Sequence, residues 1–226
     1  MAGGGPGAKL LGGAALVLLA VGLYVGLVLA PPDAVQGEVQ RIMYLHLPFV
    51  LIAYLAFAIV FLAGIAYLWK RDEWADVLAH SAAEIGVVFT GLVLVTGSIW
   101  GKPTWGVWWT WDARLTTTLL LFFIFVGYLM VRALTEERGR GARYAAIVGI
   151  IGALDIPIIH MSVVWWRTLH QPSTFLRAQG PAIAPALMIP LFVNFGAFLV
   201  LFLFLLVRRM RLEQARREAE ALEALT

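Results

Sequence analysis

The sequence predicts an all-α integral membrane protein, a bundle of six transmembrane helices with both termini in the cytoplasm and a tryptophan-rich outer loop. Three observations support this fold class. The 226 residues are 61% hydrophobic and only 14% charged, which excludes a soluble globular chain. The apolar residues form six long runs, and the basic residues cluster between alternate runs. Cysteine is absent, which excludes structural disulfides, cysteine-ligated zinc and iron–sulfur clusters on this chain.

Each apolar run is long enough to span a membrane, because a helix needs about 20 apolar residues to cross roughly 30 Å of hydrocarbon. The predicted spans are residues 10–30, 45–68, 77–99, 115–133, 144–164 and 182–207. The first span exceeds the ~7–15 apolar residues of a secretory signal peptide, so we expect it to be retained. The spans form a single polytopic membrane domain over residues 1–226. Residues 208–226 form a charged cytoplasmic tail, expected to be an ordinary solvated helix.

The positive charges set the predicted orientation. Segments 1–9, 69–76, 134–143 and 208–226 share one side if the spans alternate. Together with Arg132 they carry twelve of the seventeen basic residues: Lys9, Lys70, Arg71, Arg132, Arg138, Arg140, Arg143, Arg208, Arg209, Arg211, Arg216 and Arg217. The opposite side has Arg41, Lys102, Arg114, Arg167 and Arg177. By the positive-inside rule the termini are cytoplasmic, and segments 31–44, 100–114 and 165–181 lie outside.

Tryptophan is concentrated on the predicted outer side. Five of the nine tryptophans lie in the stretch WGKPTWGVWWTWDARLT, residues 100–116: Trp100, Trp105, Trp108, Trp109 and Trp111. Trp165 and Trp166 begin another outer segment. An aromatic belt at the lipid headgroups would decorate both faces, whereas the inner side has only Trp69 and Trp74. A belt stays an alternative for Trp100 and Trp165, but the run in the loop favours a shaped aromatic surface.

Two of the four histidines also fall on the outer side. His46 begins span two in MYLHLPF, and His170 follows span five in WWRTLHQPS. His80 lies a membrane thickness away, and we expect His80 and His160 to be hydrogen-bonded interfacial residues. Neutral imidazole is the commonest nitrogen ligand of iron, so His46 and His170 are candidates for the two axial ligands of a haem.

The neighbouring residue types suit the rest of a porphyrin. Indole rings offer large flat surfaces for stacking on an extended planar ligand. The two propionates require cations, and Lys102, Arg114 and Arg167 lie on the same side. Asp112 directly precedes span four, where it can cap that helix or pair with Arg114. The N-cap is the expected role, which leaves Arg114 for a ligand. From residue types and spacing alone, a haem site is one interpretation and an interfacial aromatic belt is another.

Three motifs resemble a known family. The stretch WGKPTWGVWWTWDARLT resembles the WWD-type tryptophan-rich signature of haem-handling membrane proteins. The stretches YLHLP and VVWWRTLHQPS resemble the segments that flank this signature in the cytochrome c maturation protein C family, also called haem exporter protein C (CcmC). The resemblance extends from about Ile42 to Leu206, with six spans in the same order.

The resemblance implies a specific function in the bacterial inner (cytoplasmic) membrane. Members of this family bind haem at the outer, periplasmic face, and the matching axial ligands here are His46 and His170. The implied haem contacts are Trp100, Trp105, Trp108, Trp109, Trp111, Asp112, Arg114, Trp165 and Trp166. The expected cofactor is non-covalent haem b, bound transiently by a protein that is not an enzyme in the usual sense. The implied partners are the haem chaperone CcmE, the ABC-type complex subunits CcmA and CcmB, and the small subunit CcmD, with no nucleic acid.

Two other functions stay open at this level. A b-type electron-transfer cytochrome with two haems needs ligand pairs near both faces, and the inner side offers only His80. A transporter or channel could use Glu84, Asp155 and Asn194 as a path, because ionisable groups inside spans cost ~2.5–3.5 kcal/mol and are often functional. Pro157 is expected to kink span five near Asp155. The sequence has no phosphate-binding glycine loop, hydrolytic triad or HExxH motif, so any use of ATP requires another subunit.

Overall fold

The computed structural model describes residues 6–171 and 183–223, which fold into helices with no β-strand among them. Six helical segments of the described residues are long and apolar enough to cross a membrane, which confirms the predicted all-α bundle of six spans. The helices are α1 (Pro6–Tyr24) with a π-helical turn (Val25–Leu29), a 3-10 turn (Glu38–Ile42) before α2 (Met43–Lys70), α3 (Glu73–Trp105), α4 (Ala113–Leu134), α5 (Arg138–Ala153), α6 (Asp155–Trp165) and α7 (Pro185–Glu223). Residue 182 of the sixth predicted span and the outer cation Arg177 lie outside the described residues.

Local sequence explains where several helices begin and end. Asp112 accepts a hydrogen bond from the backbone N–H of Leu115 at 2.9 Å, which confirms its predicted N-cap role on α4. Span five is divided at Leu154 into α5 and α6. The break falls just before Pro157, because a proline has no N–H for the carbonyl four residues earlier and its ring crowds that carbonyl. The expected interruption of this span is therefore present.

The predicted outer loop of residues 100–114 is shorter than expected. Helix α3 continues through Trp100 and Pro103 to Trp105, so only residues 106–112 separate α3 from α4. Pro103 sits in the last turn, where its missing N–H removes a single hydrogen bond from the helix. Gly106 then ends the helix with a left-handed φ of 81°, and its N–H donates to the carbonyl oxygen of Lys102 at 3.0 Å. Two of the five clustered tryptophans thus stand on a rigid helix.

Close contacts between small and aromatic residues hold the bundle together, because apolar burial gives little driving force between helices surrounded by lipid. Phe57 of α2 stacks on Phe125 of α4 with 3.7 Å between ring centroids. Gly86 of α3 lies so close to Phe57 that an added Cβ would approach its ring to 2.5 Å. Helices α2, α3 and α4 are therefore packed at van der Waals distance in the centre of the bundle.

Helix α1 packs antiparallel against α7, so both described ends of the chain lie at the same end of the bundle. Gly12 contacts Phe204, whereas Gly22 contacts Asn194, which lies earlier in α7. The Asn194 side chain donates to the carbonyl oxygen of Gly22 at 2.8 Å. Asn194 is therefore engaged in joining two helices.

A buried ion-pair network occupies the end of the bundle opposite the clustered tryptophans. We call it the arginine end; its residues are Asp76, His80, Glu84, Arg132, Arg209, Glu213 and Arg217. Asp76 of α3 accepts hydrogen bonds from Arg132 of α4 at 2.9 Å and from Arg217 of α7 at 2.6 Å. Glu213 of α7 is only 5% exposed. The expectation of an ordinary solvated tail is therefore wrong here, because the buried carboxylates of this network draw the tail arginines onto the bundle.

Candidate functional site

His46 stands one turn into α2, held against the last turns of α3. Its Nδ1 lies 2.9 Å from the hydroxyl oxygen of Thr96. Its ring meets the indole of Trp100 edge-on, with 5.7 Å between centroids. Gly97 permits this approach, because an added Cβ there would lie 3.2 Å from Cε1 of the imidazole. The imidazole is therefore fixed by α3 on two sides.

His170 lies in the segment that follows α6 and is held by the loop between α3 and α4. Its Nδ1 is 3.3 Å from Oδ2 of Asp112, and the backbone N–H of Leu169 donates to the same oxygen at 3.4 Å. Its ring packs against Trp105 with 4.6 Å between centroids. Asp112 therefore orients His170 with one oxygen while it caps α4 with the other. The capping role was predicted from the sequence, and the contact with His170 was not.

The end of α3 brings the two histidines together. Trp100 contacts His46 and Trp105 contacts His170, so one rigid helix carries both aromatic neighbours. We call this region, with Trp108, Trp109, Trp111, Trp165 and Trp166, the tryptophan end. Two histidines from distant segments therefore share one end of the bundle.

The environment of His170 favours its neutral form. Burial lowers the pKa of His170 below its ordinary value of 6.5, and the positive charge of Arg114 acts in the same direction. The neighbouring Asp112 opposes this shift without reversing it. The lowered pKa therefore favours neutral His170 at pH 7, and neutral imidazole is the form that can donate a lone pair to a metal.

The tryptophans of the loop expose large flat surfaces. Trp108 is 58% exposed and Trp111 is 75% exposed, and Trp109 meets Trp111 edge-on with 5.5 Å between centroids. Trp165 and Trp166 are also exposed and contact each other in the same way. Exposed aromatic surface next to two histidines suits a planar ligand, and it equally suits contact with lipid headgroups.

Several buried polar atoms at the tryptophan end lack a hydrogen-bond partner among the described residues. They are Nε1 of Trp109, Oγ1 of Thr110 and Nε of Arg114. The Arg114 guanidinium donates to the carbonyl oxygen of His160 at 3.3 Å. Arg114 therefore has a backbone partner, its Nε is unsatisfied among the described residues, and its contact with a ligand stays a prediction. Buried polar groups usually have partners, so these atoms have hydrogen-bonding capacity that a ligand or a water molecule can satisfy.

Sequence reasoning missed Gln36 and Thr96. Gln36 lies in the turn before α2, and its side-chain oxygen accepts a hydrogen bond from Nε1 of Trp100 at 2.8 Å. Asp33 fixes this turn by accepting from the backbone N–H of Gln36 at 2.8 Å. Neither Gln36 nor Thr96 belongs to a metal-ligand or aromatic pattern. The one available signal was helical spacing. Thr96 lies four residues before Trp100, so the two side chains are expected on the same face of α3.

The other sequence candidates lie elsewhere or are already paired. His80 sits at the arginine end, with its ring nitrogens 3.3 Å from Glu84 and 3.5 Å from Glu213. Glu84 also accepts a hydrogen bond from Arg209 at 2.6 Å. Asp155 is buried at the break between α5 and α6, and its Oδ2 has no hydrogen-bond partner among the described residues. Glu84 is therefore held by the ion pairs of the arginine end, and a transport path through Glu84 and Asp155 stays a prediction.

Comparisons with known proteins agree with the motifs. The family model described as "Heme exporter protein C" matches residues 5–225, well beyond the stretch from Ile42 to Leu206 that carries the motifs. Proteins named Heme exporter protein C are 41% identical in Bradyrhizobium diazoefficiens, over 95% of this chain and 81% of that protein, and 42% identical in Escherichia coli K12, over 88% and 80%. A "Putative cytochrome c biosynthesis ccmC-like mitochondrial protein" of Marchantia polymorpha is 39% identical over 86% and 82%. The chain belongs to the Heme exporter protein C family.

Proposed function

We propose that this chain binds haem at the tryptophan end and hands it to a partner in c-type cytochrome biogenesis. The observation that carries this proposal is that His46 and His170 each pack against a tryptophan in the last turns of α3, His46 against Trp100 and His170 against Trp105. Two imidazoles on opposite sides of a porphyrin complete the coordination of iron. Haem is here a cargo rather than a resident catalyst, so the chain is a binding and transfer protein.

The residues around the two histidines fit the other parts of haem. Trp100 and Trp105 pack against the two histidines, and the exposed rings of Trp108, Trp111, Trp165 and Trp166 offer surface for the porphyrin plane. The buried Nε1 of Trp109 and Nε of Arg114 lack partners among the described residues, and haem propionates are strong acceptors for such donors. Asp112 acts through His170. The chain has no cysteine for a thioether bond, which supports non-covalent binding, and haem b is the proposed form.

The proposed location is the bacterial inner membrane, with the tryptophan end on the periplasmic side and both termini in the cytoplasm. The excess of basic residues in the segments at the arginine end supports this orientation. The names of the relatives support a role in haem export and cytochrome c biosynthesis. The proposed recipient is the haem chaperone CcmE, and the proposed companions are CcmA, CcmB and CcmD.

The test is the absorption spectrum of the purified full-length chain, oxidised and reduced, after expression with ample haem. We expect a b-type spectrum that weakens or changes in His46→Ala and in His170→Ala and is lost in the double variant. His80→Gln is the matched control, because His80 lies at the other end of the bundle, and it should retain haem. A chain without haem, or a double variant with wild-type haem content and spectrum, would overturn the proposal.

A further inference from the structure

The hydroxyl group of Thr96 makes two close contacts, which together decide which nitrogen of the His46 ring carries the proton, and a longer one of 3.4 Å to the carbonyl oxygen of Val93. Oγ1 of Thr96 lies 2.7 Å from the carbonyl oxygen of Leu92 and 2.9 Å from Nδ1 of His46. Leu92 is four residues before Thr96 in α3, so the first contact is the usual bond from a helical threonine to the preceding turn. The second contact links α3 to α2.

The single hydroxyl proton decides the direction of the second contact. Two oxygen atoms 2.7 Å apart require a proton between them, because otherwise their lone pairs repel. The Thr96 proton is therefore donated to Leu92, and Oγ1 can only accept from His46. His46 consequently carries its proton on Nδ1, which leaves the lone pair on Nε2.

We infer that Thr96 is a positioning residue for haem binding. Thr96 fixes both the tautomer and the ring orientation of His46, so that Nε2 is the ligating atom. This inference rests on the proposed function. Hydrogen-bond partners of metal-ligating histidines generally act in this way, and their removal typically costs 10–100-fold in metal affinity. In the Thr96→Val variant the shape is kept, but Nδ1 loses its acceptor and either nitrogen can then carry the proton.

The chain offers a matched control in the same helix. Thr90 is buried, and its hydroxyl also donates to a carbonyl four residues earlier, that of Gly86, at 2.7 Å. Thr90→Val therefore removes the same kind of helical hydrogen bond without touching a histidine. Thr96→Ser provides the complementary variant, because it keeps the hydroxyl group and removes only the methyl group.

The first measurement concerns the tautomer and needs no haem. Full-length apo protein with ¹⁵N-labelled histidine is studied by NMR at neutral pH, and His46→Gln identifies the His46 signals. We expect the Nδ1-protonated tautomer in the wild type, in Thr96→Ser and in Thr90→Val, and a mixture of tautomers in Thr96→Val. An Nε2-protonated ring in the wild type would overturn the inference.

The second measurement is haem titration of the same variants, with low-temperature EPR of the ferric complex. We expect 10–100-fold weaker haem binding and a shifted low-spin signal for Thr96→Val, with Thr96→Ser and Thr90→Val close to wild type. Wild-type affinity and signal in Thr96→Val, while His46→Ala loses haem, would overturn this inference and leave the proposed function intact. Equal losses in Thr96→Val and Thr90→Val would also overturn it, by showing a merely structural effect. Unchanged haem binding in His46→Ala would remove the proposed ligand and this inference together.

Discussion

Asp112 contacts His170 across 58 positions of the sequence, with 3.3 Å between its Oδ2 and Nδ1 of the imidazole. The other carboxylate oxygen accepts from the backbone N–H of Leu115 and caps α4. One side chain therefore couples the start of a helix to a proposed iron ligand. The two proposed ligands differ in the charge of their hydrogen-bond partner. His170 faces the carboxylate of Asp112, whereas His46 faces the neutral hydroxyl of Thr96.

The two roles of Asp112 can be separated by two substitutions. Asn keeps the cap and a neutral acceptor, whereas Ala removes both. Asp112→Ala should lower the free energy of unfolding by about 1 kcal/mol and weaken haem binding. Asp112→Asn should keep wild-type stability but raise the haem reduction potential, since an imidazole without a neighbouring carboxylate donates less electron density to iron. Thermal unfolding and redox titration measure the two effects, and an unchanged potential in Asp112→Asn would contradict the second.

Gln36→Leu should leave the indole N–H of the partly buried Trp100 without an acceptor. We expect a loss of about 1–3 kcal/mol in the free energy of unfolding, together with lower haem retention. Trp100→Phe removes the donor but keeps an aromatic ring beside His46. In that background Gln36→Leu should cost clearly less, and the double-mutant cycle measures the difference. Additive effects of the two substitutions would argue against the hydrogen bond seen between them.

The arginine end should contribute strongly to stability. The Arg132 and Asp76 side chains are only 8% and 5% exposed. Arg132→Met therefore removes one of the two arginines that pair with the buried carboxylate of Asp76, and leaves Arg217. We expect a loss of about 3 kcal/mol in the free energy of unfolding. The control is Arg140→Met, because Arg140 and its partner Glu137 are 64% and 59% exposed, and such pairs are worth about 0–1 kcal/mol. Similar losses in both variants, measured by chemical denaturation in detergent, would refute a special role for the buried network.

Asp155→Asn distinguishes haem transfer from transport through the bundle. The amide has the shape of the carboxylate, and Oδ2 of Asp155 has no hydrogen-bond partner among the described residues. A buried charge without a partner is unfavourable, so the variant should fold at least as stably as the wild type and bind haem normally. Haem titration and a cytochrome c maturation assay test this. Loss of maturation with haem binding intact would instead favour a path through Asp155.

The proposed orientation can be tested by cysteine labelling, because the natural chain has no cysteine. Val35, in the turn before α2, is 92% exposed and belongs to the predicted outer side. Glu218 is exposed on the tail portion of α7. In bacterial spheroplasts a membrane-impermeant maleimide should label Val35→Cys directly, and Glu218→Cys only after permeabilisation. The reverse pattern would place the tryptophan end in the cytoplasm.

Much of the fold could be predicted because it depends on local sequence. The six spans follow from apolar length, the N-cap at Asp112 from its position before span four, and the break in span five from Pro157. The outer loop of residues 100–114 was predicted too long. Pro103 was expected to break the helix, but a proline in the last turn removes only one hydrogen bond, and Gly106 ends α3 instead. The prediction of a solvated tail was wrong. In the sequence, Glu213 and Arg217 have the pattern of surface charges, and only the structure shows their partners on neighbouring helices.

The amino-acid order was enough to predict the six membrane-spanning helices, the clustering of tryptophan on one side and the candidate ligands His46 and His170. These properties are sums over neighbouring residues, so local composition is sufficient. Only the tertiary structure decided that Thr96 faces His46, that Asp112 faces His170 and that the tail arginines reach Asp76. Such pairings depend on the rotation and depth of each packed helix, because a shift of one residue turns a side chain by about 100°.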